Sequence, residues 1–351
     1  PGTAMMNRGP RNQKVTLQDV ADAAGVSKAT ASLALRKHAR ISEPTRMRVL
    51  QAVEALGYVY NQRAASLRTR RSYTIGLIIK DVSNPFNAEL TSGAESQLAD
   101  HDYSLVLVTT DDDLDKQSRM VKTMLERDVD GLILSPVAQT TIESMQALMQ
   151  FCPLVLLIPY YPELAADCVG MDDENGTARA VEHLIQLGHR RIAFVGGFAA
   201  HATRSRRLQS YRETLRQNGI AFDSALCIAS PVTRRGGYDA IHQLLNMSNP
   251  PSGAYCYSDV IAFGVMLGLR AAGMEAGKDF AVIGFDNVPE ATLWHPSLTT
   301  VSADPRGLGE SAAQLMLRRL RSPDAPIKRI IMPSHLVLRD STAAPVTERL
   351  N

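Results

Sequence analysis

From Tyr73 onward, short apolar runs recur at 74–79, 105–108, 131–134, 155–158, 191–196, 254–257 and 280–284, with helical patterns between them at 88–99, 116–127, 177–187, 204–217 and 259–272. Continuous apolar runs, as opposed to alternating ones, belong to strands buried on both faces. Strand, helix, strand repeated in this way makes βαβ units and parallel sheets. Two such series predict two doubly wound lobes of similar topology. In folds of this kind ligands sit beyond the carboxyl ends of the strands, here in a cleft between the lobes.

The first sixty residues follow a different rule. Thr16-Leu17-Gln18-Asp19 has the form in which a threonine caps a helix and an acid three residues later returns the bond. Leu17, Val20, Ala21 and Ala24 then fall on one helical face, and Gly25 ends the helix. Ser27 is expected to cap a second helix that buries Ala31, Ala34 and Leu35 and turns Lys28, Ala29, Ser32 and Leu33 outward. Ser42 is expected to cap a third, with Pro44 in its first turn and Val49, Ala52, Val53 and Leu56 inward. Helix, Ala-Gly-Val-Ser turn, helix is the helix-turn-helix arrangement, whose second helix enters the major groove.

Charge supports that reading. Residues 1–72 carry 13 Lys and Arg against 4 Asp and Glu, which leaves 25 against 32 for the remainder. A basic head on an acidic body suits a phosphate-binding module joined to something else.

At this point the sequence resembles a family. The stretch from Thr16 to Ala21, Ala24-Gly25-Val26-Ser27, Leu56-Gly57-Tyr58 and residues 61–67 are similar to the lactose/galactose repressor (LacI) family. So are Ile75-Gly76-Leu77-Ile78, Asn84-Pro85-Phe86, Gly131-Leu132-Ile133-Leu134, Leu187-Gly188-His189, Ile283-Gly284-Phe285-Asp286 and Leu298-Thr299-Thr300-Val301. The resemblance implies an α/β chain: an all-α helix-turn-helix head (14–60), a hinge (61–72) and a periplasmic-binding-protein-like body (73–340). The body's lobes would comprise about 73–170 plus 301–322, and 171–300 plus 323–340. It further implies a repressor that binds a palindromic double-stranded operator as a homodimer, with DNA affinity set allosterically by a small molecule, a sugar or sugar phosphate. The short tail after 340 has no room for a heptad zipper, so a dimer is expected and not a tetramer.

The residues expected to touch DNA are Thr16, Lys28, Ala29, Thr30, Ser32, Leu33 and Arg40 in the head, and Asn61, Ala64 and Leu67 in the hinge. Asn61 to Arg68 could form a two-turn helix, marginal alone. The resemblance implies that two such helices, one per subunit, lie in the minor groove while Leu67 wedges a base step open. In the cleft, Asn84 could hydrogen-bond, Phe86 could stack on a ligand, Arg207 could clamp its hydroxyls or carboxylate, and Ser258 and Asp286 lie at strand ends. The alternatives are plain: Asn84 and Asp286 could only shape turns, and Arg206 or Arg207 could be surface charge. Ser258 stands where sugar-responsive relatives usually have asparagine, and Ile158 where some have a ligand-binding aspartate. Three arginines, Arg204, Arg206 and Arg207, make a phosphorylated sugar credible.

Other classes find little support. Val195-Gly196-Gly197 and Gly307-Leu308-Gly309 lack the full dinucleotide fingerprint. The acidic runs 111–113 and 172–174 read as loops and helix starts more readily than as metal ligands. Four scattered cysteines form no ligand pair. No nucleophile, base and orienter stand together, so neither catalysis nor a cofactor is expected. No apolar run reaches membrane-span length and no leader is evident, so a cytoplasmic location without membrane association is expected. A transport or sensor protein would lack the basic helical head, and a DNA-dependent enzyme would need a titratable cluster in the cleft.

Overall fold

The computed structural model describes residues 15–35, 40–58, 71–157, 161–198 and 201–345, and the chain divides into two compact units, Pro1–Ser72 and Tyr73–Asn351. The hinge positions Asn61, Ala64 and Leu67, and Ile158, lie outside the described residues.

In the first unit α1 (Leu17–Ala23), α2 (Lys28–Leu35) and α3 (Glu43–Leu56) surround a core of small side chains: Val20, Ala21, Ala31, Ala34, Val49 and Ala52. Small residues let the helices approach closely, and Gly25 at φ 63° makes the turn that brings α2 across α1. Two expectations fail. Leu56 is exposed, and Tyr58 is buried in its place, because Gly57 in the left-handed conformation turns the chain back and Tyr58 N–H donates to Val53 O at 3.0 Å. Ser42 precedes α3 but does not cap it through its side chain; its hydroxyl meets Thr45 Oγ1 at 3.0 Å.

The second unit contains two sheets. One is built from β1 (Thr74–Ile79), β2 (Ser104–Thr109), β3 (Gly131–Leu134), β4 (Leu154–Leu157), β5 (Asp167–Met171) and β11 (Arg329–Met332), in the spatial order β11-β5-β4-β3-β1-β2. All its pairings are parallel. The other contains β6 (Ile192–Val195), β7 (Cys227–Ile228), β8 (Gly253–Cys256), β9 (Ala281–Asp286), β10 (Thr299–Ser302) and β12 (His335–Val337), ordered β12-β10-β9-β8-β6-β7, with only β12 antiparallel. Residues of β3, β4, β6 and β8 are buried throughout, as strands covered on both faces must be.

The covering helices of the first lobe are α4 (Pro85–Ala99), α5 (Leu114–Glu126), α6 (Ile142–Met149) and α12 (Pro305–Arg321). Those of the second are α7 (Asp173–Gln186), α8 (Ala202–Gln217), α9 (Arg234–Leu245), α10 (Asp259–Ala271) and the short α11 (Glu290–Leu293). Helices α4 and α12 meet backbone to backbone: a Cβ on Gly93 would collide with the Arg306 carbonyl, and one on Gly309 with that of Leu90.

The chain passes between lobes after β5, after β10 and after β11. The third passage, expected near 322, falls between Met332 and His335. After α12 the chain stays in the first lobe to lay β11 beside β5, with Arg329 opposite Cys168 and Met332 opposite Met171. Strand β11 is a four-residue edge with alternating exposure, and its apolar run is only the three residues Ile330-Ile331-Met332, too short to stand out as a strand. No described helix is long and apolar enough to cross a membrane.

Candidate nucleic-acid interface and ligand cleft

In the head, Thr16 N–H donates to Asp19 Oδ2 at 2.7 Å and Asp19 N–H donates to Thr16 Oγ1 at 3.4 Å, a reciprocal cap. The Thr16 N–H bond, joined by the Thr16 hydroxyl donating to Asp19 Oδ2 at 2.8 Å, lowers the Asp19 carboxyl below its ordinary range. Ser27 Oγ accepts from Thr30 N–H at 3.1 Å and also meets the Thr30 hydroxyl at 2.9 Å, so both side chains order the start of α2. Lys28 and Ala29 are exposed; Thr30, Ser32 and Leu33 are half-buried, and Arg40 is exposed ahead of α3. Helix α2 therefore presents one cation, two hydroxyls and two apolar side chains on its outer face.

In the body, all five residues expected at the ligand site line a single cleft between the lobes: Asn84 and Phe86 from the start of α4, Arg207 from α8, Ser258 from the start of α10, and Asp286 from the end of β9. Two of them also cap helices. Asn84 Oδ1 accepts from Phe86 N–H at 3.0 Å, and Ser258 Oγ accepts from Ile261 N–H at 3.4 Å. Phe86 packs into the lobe core with only 8% of its surface open.

Arg207 is buried and held on every side. Its Nε donates to Asp173 Oδ1 at 2.8 Å, Nη1 to the Tyr257 carbonyl, and Nη2 to Met171 Sδ at 3.4 Å. The guanidinium lies 3.5 Å from the centre of the Phe285 ring and 4.9 Å from that of Tyr257. Burial, the largest single influence, favours its neutral form, but Asp173 together with Tyr255, Tyr257 and Asp286 outweighs burial and raises its pKa. The expected cluster of three cleft arginines does not form. Arg206 also binds Asp173, at 2.7 Å, and Arg204 donates to Gly196 O at 3.0 Å with its guanidinium 5.2 Å from the centre of the Phe194 ring.

Asp286 is 5% exposed at φ 119°, and the following Asn287 is also left-handed at 56°. This bend is pinned by Asp259, which accepts from Val288 N–H at 2.9 Å and from the Thr300 hydroxyl. Burial pushes the Asp259 carboxyl up to about 7 against those two bonds. Burial likewise raises Asp286 well above the carboxylate range, reinforced by the charge of Asp259 and opposed by Arg207. A carboxyl whose protonated form is favoured in this way can donate a hydrogen bond as well as accept one.

Sequence reasoning overlooked several groups in the cleft wall: Lys80, Asn87, Ser135, Tyr161, His201 and Tyr257. Lys80, Ser135 and Tyr257 each stand one residue or so past a strand end, the signal that would have found them. His201 and Tyr161 sit in connecting segments without periodicity. The acidic runs are explained locally: Asp113 and Asp172 cap α5 and α7, Asp111 pairs with Lys116 at 2.6 Å, and Asp173 holds two arginines. Among the described residues no His, Cys, Asp and Glu group suited to a metal ion is found.

A capped helix-turn-helix unit joined to a two-lobed body with a cleft at its strand ends defines the class of helix-turn-helix transcription regulators with a ligand-binding-protein body. Residues 16–61 match the bacterial regulatory proteins of the lacI family, and residues 181–342 match the periplasmic binding protein-like domain. Among relatives, the chain is 30% identical over 334 residues to the HTH-type transcriptional regulator DegA of Bacillus subtilis, covering 94% of this chain and 98% of that one. It is 31% identical over 329 residues to the ribose operon repressor of Escherichia coli K12, covering 93% and 99%. Among solved structures, the lac repressor dimer bound to operator and the anti-inducer ONPF superposes with a TM-score of 0.83 at 26% identity, covering 95% and 100%. The chain belongs to the lacI family and is a DNA-binding transcription regulator.

Proposed function

We propose that this regulator is a repressor that binds a palindromic operator as a homodimer, and that an uncharged sugar in the inter-lobe cleft sets its affinity for DNA. The observation that carries the ligand half is the convergence of Asn84, Phe86, Arg207, Ser258 and Asp286 on one cleft. An apolar ring, a fixed guanidinium and a carboxyl raised by burial suit a polyol with an apolar face and several hydroxyls. Similarity to the ribose operon repressor supports a sugar, and similarity to the lac repressor dimer on its operator supports the assembly. A phosphorylated sugar is the weaker reading, because Arg206 and Arg207 already share the Asp173 carboxylate and Arg204 is turned to Gly196. The DNA half rests on the capped head, with Lys28, Ala29 and Leu33 reading base edges or phosphate and Asn61, Ala64 and Leu67 of the hinge entering the minor groove. The protein acts by binding, without catalysis, in the cytoplasm where its operator lies.

The test pairs two measurements. Genomic fragments retained by the purified protein are sequenced, and thermal shifts are read against pentoses, hexoses and their phosphates. A retained palindrome and a shift by an unphosphorylated sugar are expected. Retention of no sequence above background overturns the repressor reading, and a shift by phosphates alone overturns the uncharged ligand.

A further inference from the structure

The loop after β2 carries two consecutive non-glycine residues in the left-handed region, Asp111 at φ 52° and Asp112 at 58°. Such backbone persists only where surrounding bonds over-determine it. Here Thr110 N–H donates to Ile79 O at 2.9 Å and Asp111 N–H to Lys80 O at 2.8 Å, tying the loop to the end of β1. The result is a fixed Asp112 carboxylate, 2.9 Å from Lys80 Nζ in the same lobe. Its other oxygen meets Nε2 of His201, which belongs to the second lobe and precedes α8. The His201 side chain is 12% exposed, its ring edge-on to Phe198 at 6.0 Å. Burial disfavours the Asp112 charge, yet the His201 hydrogen bond and the Lys80 charge hold this carboxyl down at about 2. The ion pairs of Lys80, Arg191, Arg206, Arg207 and Arg319 each stay within one lobe. The Asp112–His201 contact spans both.

We propose that Asp112 and His201 are the closing pair of the ligand cleft: residues that hold the two lobes together at its mouth and so determine how long a ligand is retained. His201 and Lys80 both line the cleft, so the pair stands at the boundary between ligand and solvent. A hydrogen-bonded charge contact acts only at short range and is lost as soon as the lobes part. Breaking it raises the population of the open form without altering either lobe's core. The consequence for ligand retention rests on the cleft being the ligand site, but the closing role does not.

Hydrogen exchange of the ligand-free, full-length protein is the test, because it needs no identified ligand. In His201→Ala and Asp112→Ala, amides at the cleft wall (80–87 and 257–258) are expected to exchange about fivefold faster, the scale of one partly exposed ion pair. Amides of β3 and β8 keep their rates. His201→Lys, which places a cation opposite Asp112, recovers the slow rate, and Asp111→Asn, which removes the ion pair with Lys116 while keeping a side chain that tolerates the left-handed backbone, leaves the wall unchanged. Unchanged exchange at the wall in both alanine variants overturns the proposal. So does an equal rise in β3 and β8, which marks general destabilisation, or a failure of His201→Lys to recover protection. A protein that binds no sugar yet shows the expected pattern refutes the sugar reading and leaves the closing pair intact.

Discussion

Replacing Asp173 by alanine tests whether the cleft arginine is held in place by charge. Asp173 is buried at the first position of α7 and binds Arg207 at 2.8 Å and Arg206 at 2.7 Å. Its loss strands two unequal cations. Arg206 is 27% exposed and rehydrates, whereas Arg207 at 4% cannot. Removing one partner of a buried pair costs about 3–5 kcal/mol because the remaining charge is uncompensated. Asp286 softens this: burial raises its carboxyl, and an unpaired Arg207 would favour its charged form and so supply part of the missing charge. The lower end, about 3 kcal/mol, is therefore expected, or roughly 6–12 °C in the melting temperature of a body this size. Asp173→Asn keeps an acceptor for Arg207 Nε and should lose about half as much. Glu174→Ala, exposed in the same first turn, is the control. Urea unfolding followed by circular dichroism reads all three. A loss below about 1 kcal/mol for the alanine variant would show that the guanidinium is held by Tyr257, Phe285 and packing alone, and the charge argument would fail.

Three more expectations follow from the same geometry. Because Asp259 is raised from 3.8 to about 7, the folded chain binds that proton more tightly than the unfolded chain, so stability falls as pH rises through that interval and levels above it. Asp259→Asn should flatten the slope, as urea midpoints at about pH 5 and pH 8 would show; an unaltered slope would assign it elsewhere. Ala31 is fully buried where the three head helices meet, so Ala31→Leu should cost about 1–3 kcal/mol in the head alone. Loss of operator binding with an unchanged thermal transition of the body is the expected signature, and retained binding would mean the head core is loosely packed. Leu67→Ala should remove most operator affinity while non-specific DNA binding survives in a salt titration; equal loss of both would refute the wedge.

How much was legible depended on how each residue's role is encoded. Strands β1 and β3 match their expected limits because their apolar runs are sharply bounded, Thr74–Ile79 between Tyr73 and Lys80, Gly131–Leu134 between Asp130 and Ser135. Helix starts were placed two to four residues late at α4, α5 and α7, since the cap-forming Asn84, Asp113 and Asp172 precede the apolar periodicity that was being read. Short edge strands such as β7, β11 and β12 carry too few buried residues to leave a pattern. In the cleft, residues at strand ends could be named because the fold dictates where ligands sit. The partners of those residues could not: nothing in Arg204-Ser205-Arg206-Arg207 tells that two of its arginines share one aspartate 33 and 34 residues earlier. Long-range pairing of charges is a property of packing, and sequence spacing is silent on it.

The composition of α2 bears on why the protein needs both an assembly and a hinge. Its eight residues, Lys28 to Leu35, include one cation and no amide side chain. A good bidentate contact to a base edge supplies about 1–3 kcal/mol of discrimination, and apolar contact with a thymine methyl supplies less. Specific sites must exceed non-specific DNA by about 4–10 kcal/mol. One head whose recognition helix offers Lys28, the hydroxyls of Thr30 and Ser32, and the apolar Ala29 and Leu33 has no bidentate amide or guanidinium on that helix and falls short of that margin. Two heads on a palindrome double it, and the hinge proposed above, if it reads the deformability of the central base step, would add a contribution independent of side-chain hydrogen bonds. Both additions depend on the spacing of two chains. On the proposed reading, a regulator whose recognition helix has one cation and no amide places most of its specificity where movement of the ligand-binding lobes would reach it, so a small change in lobe closure would remove most of the discrimination at once.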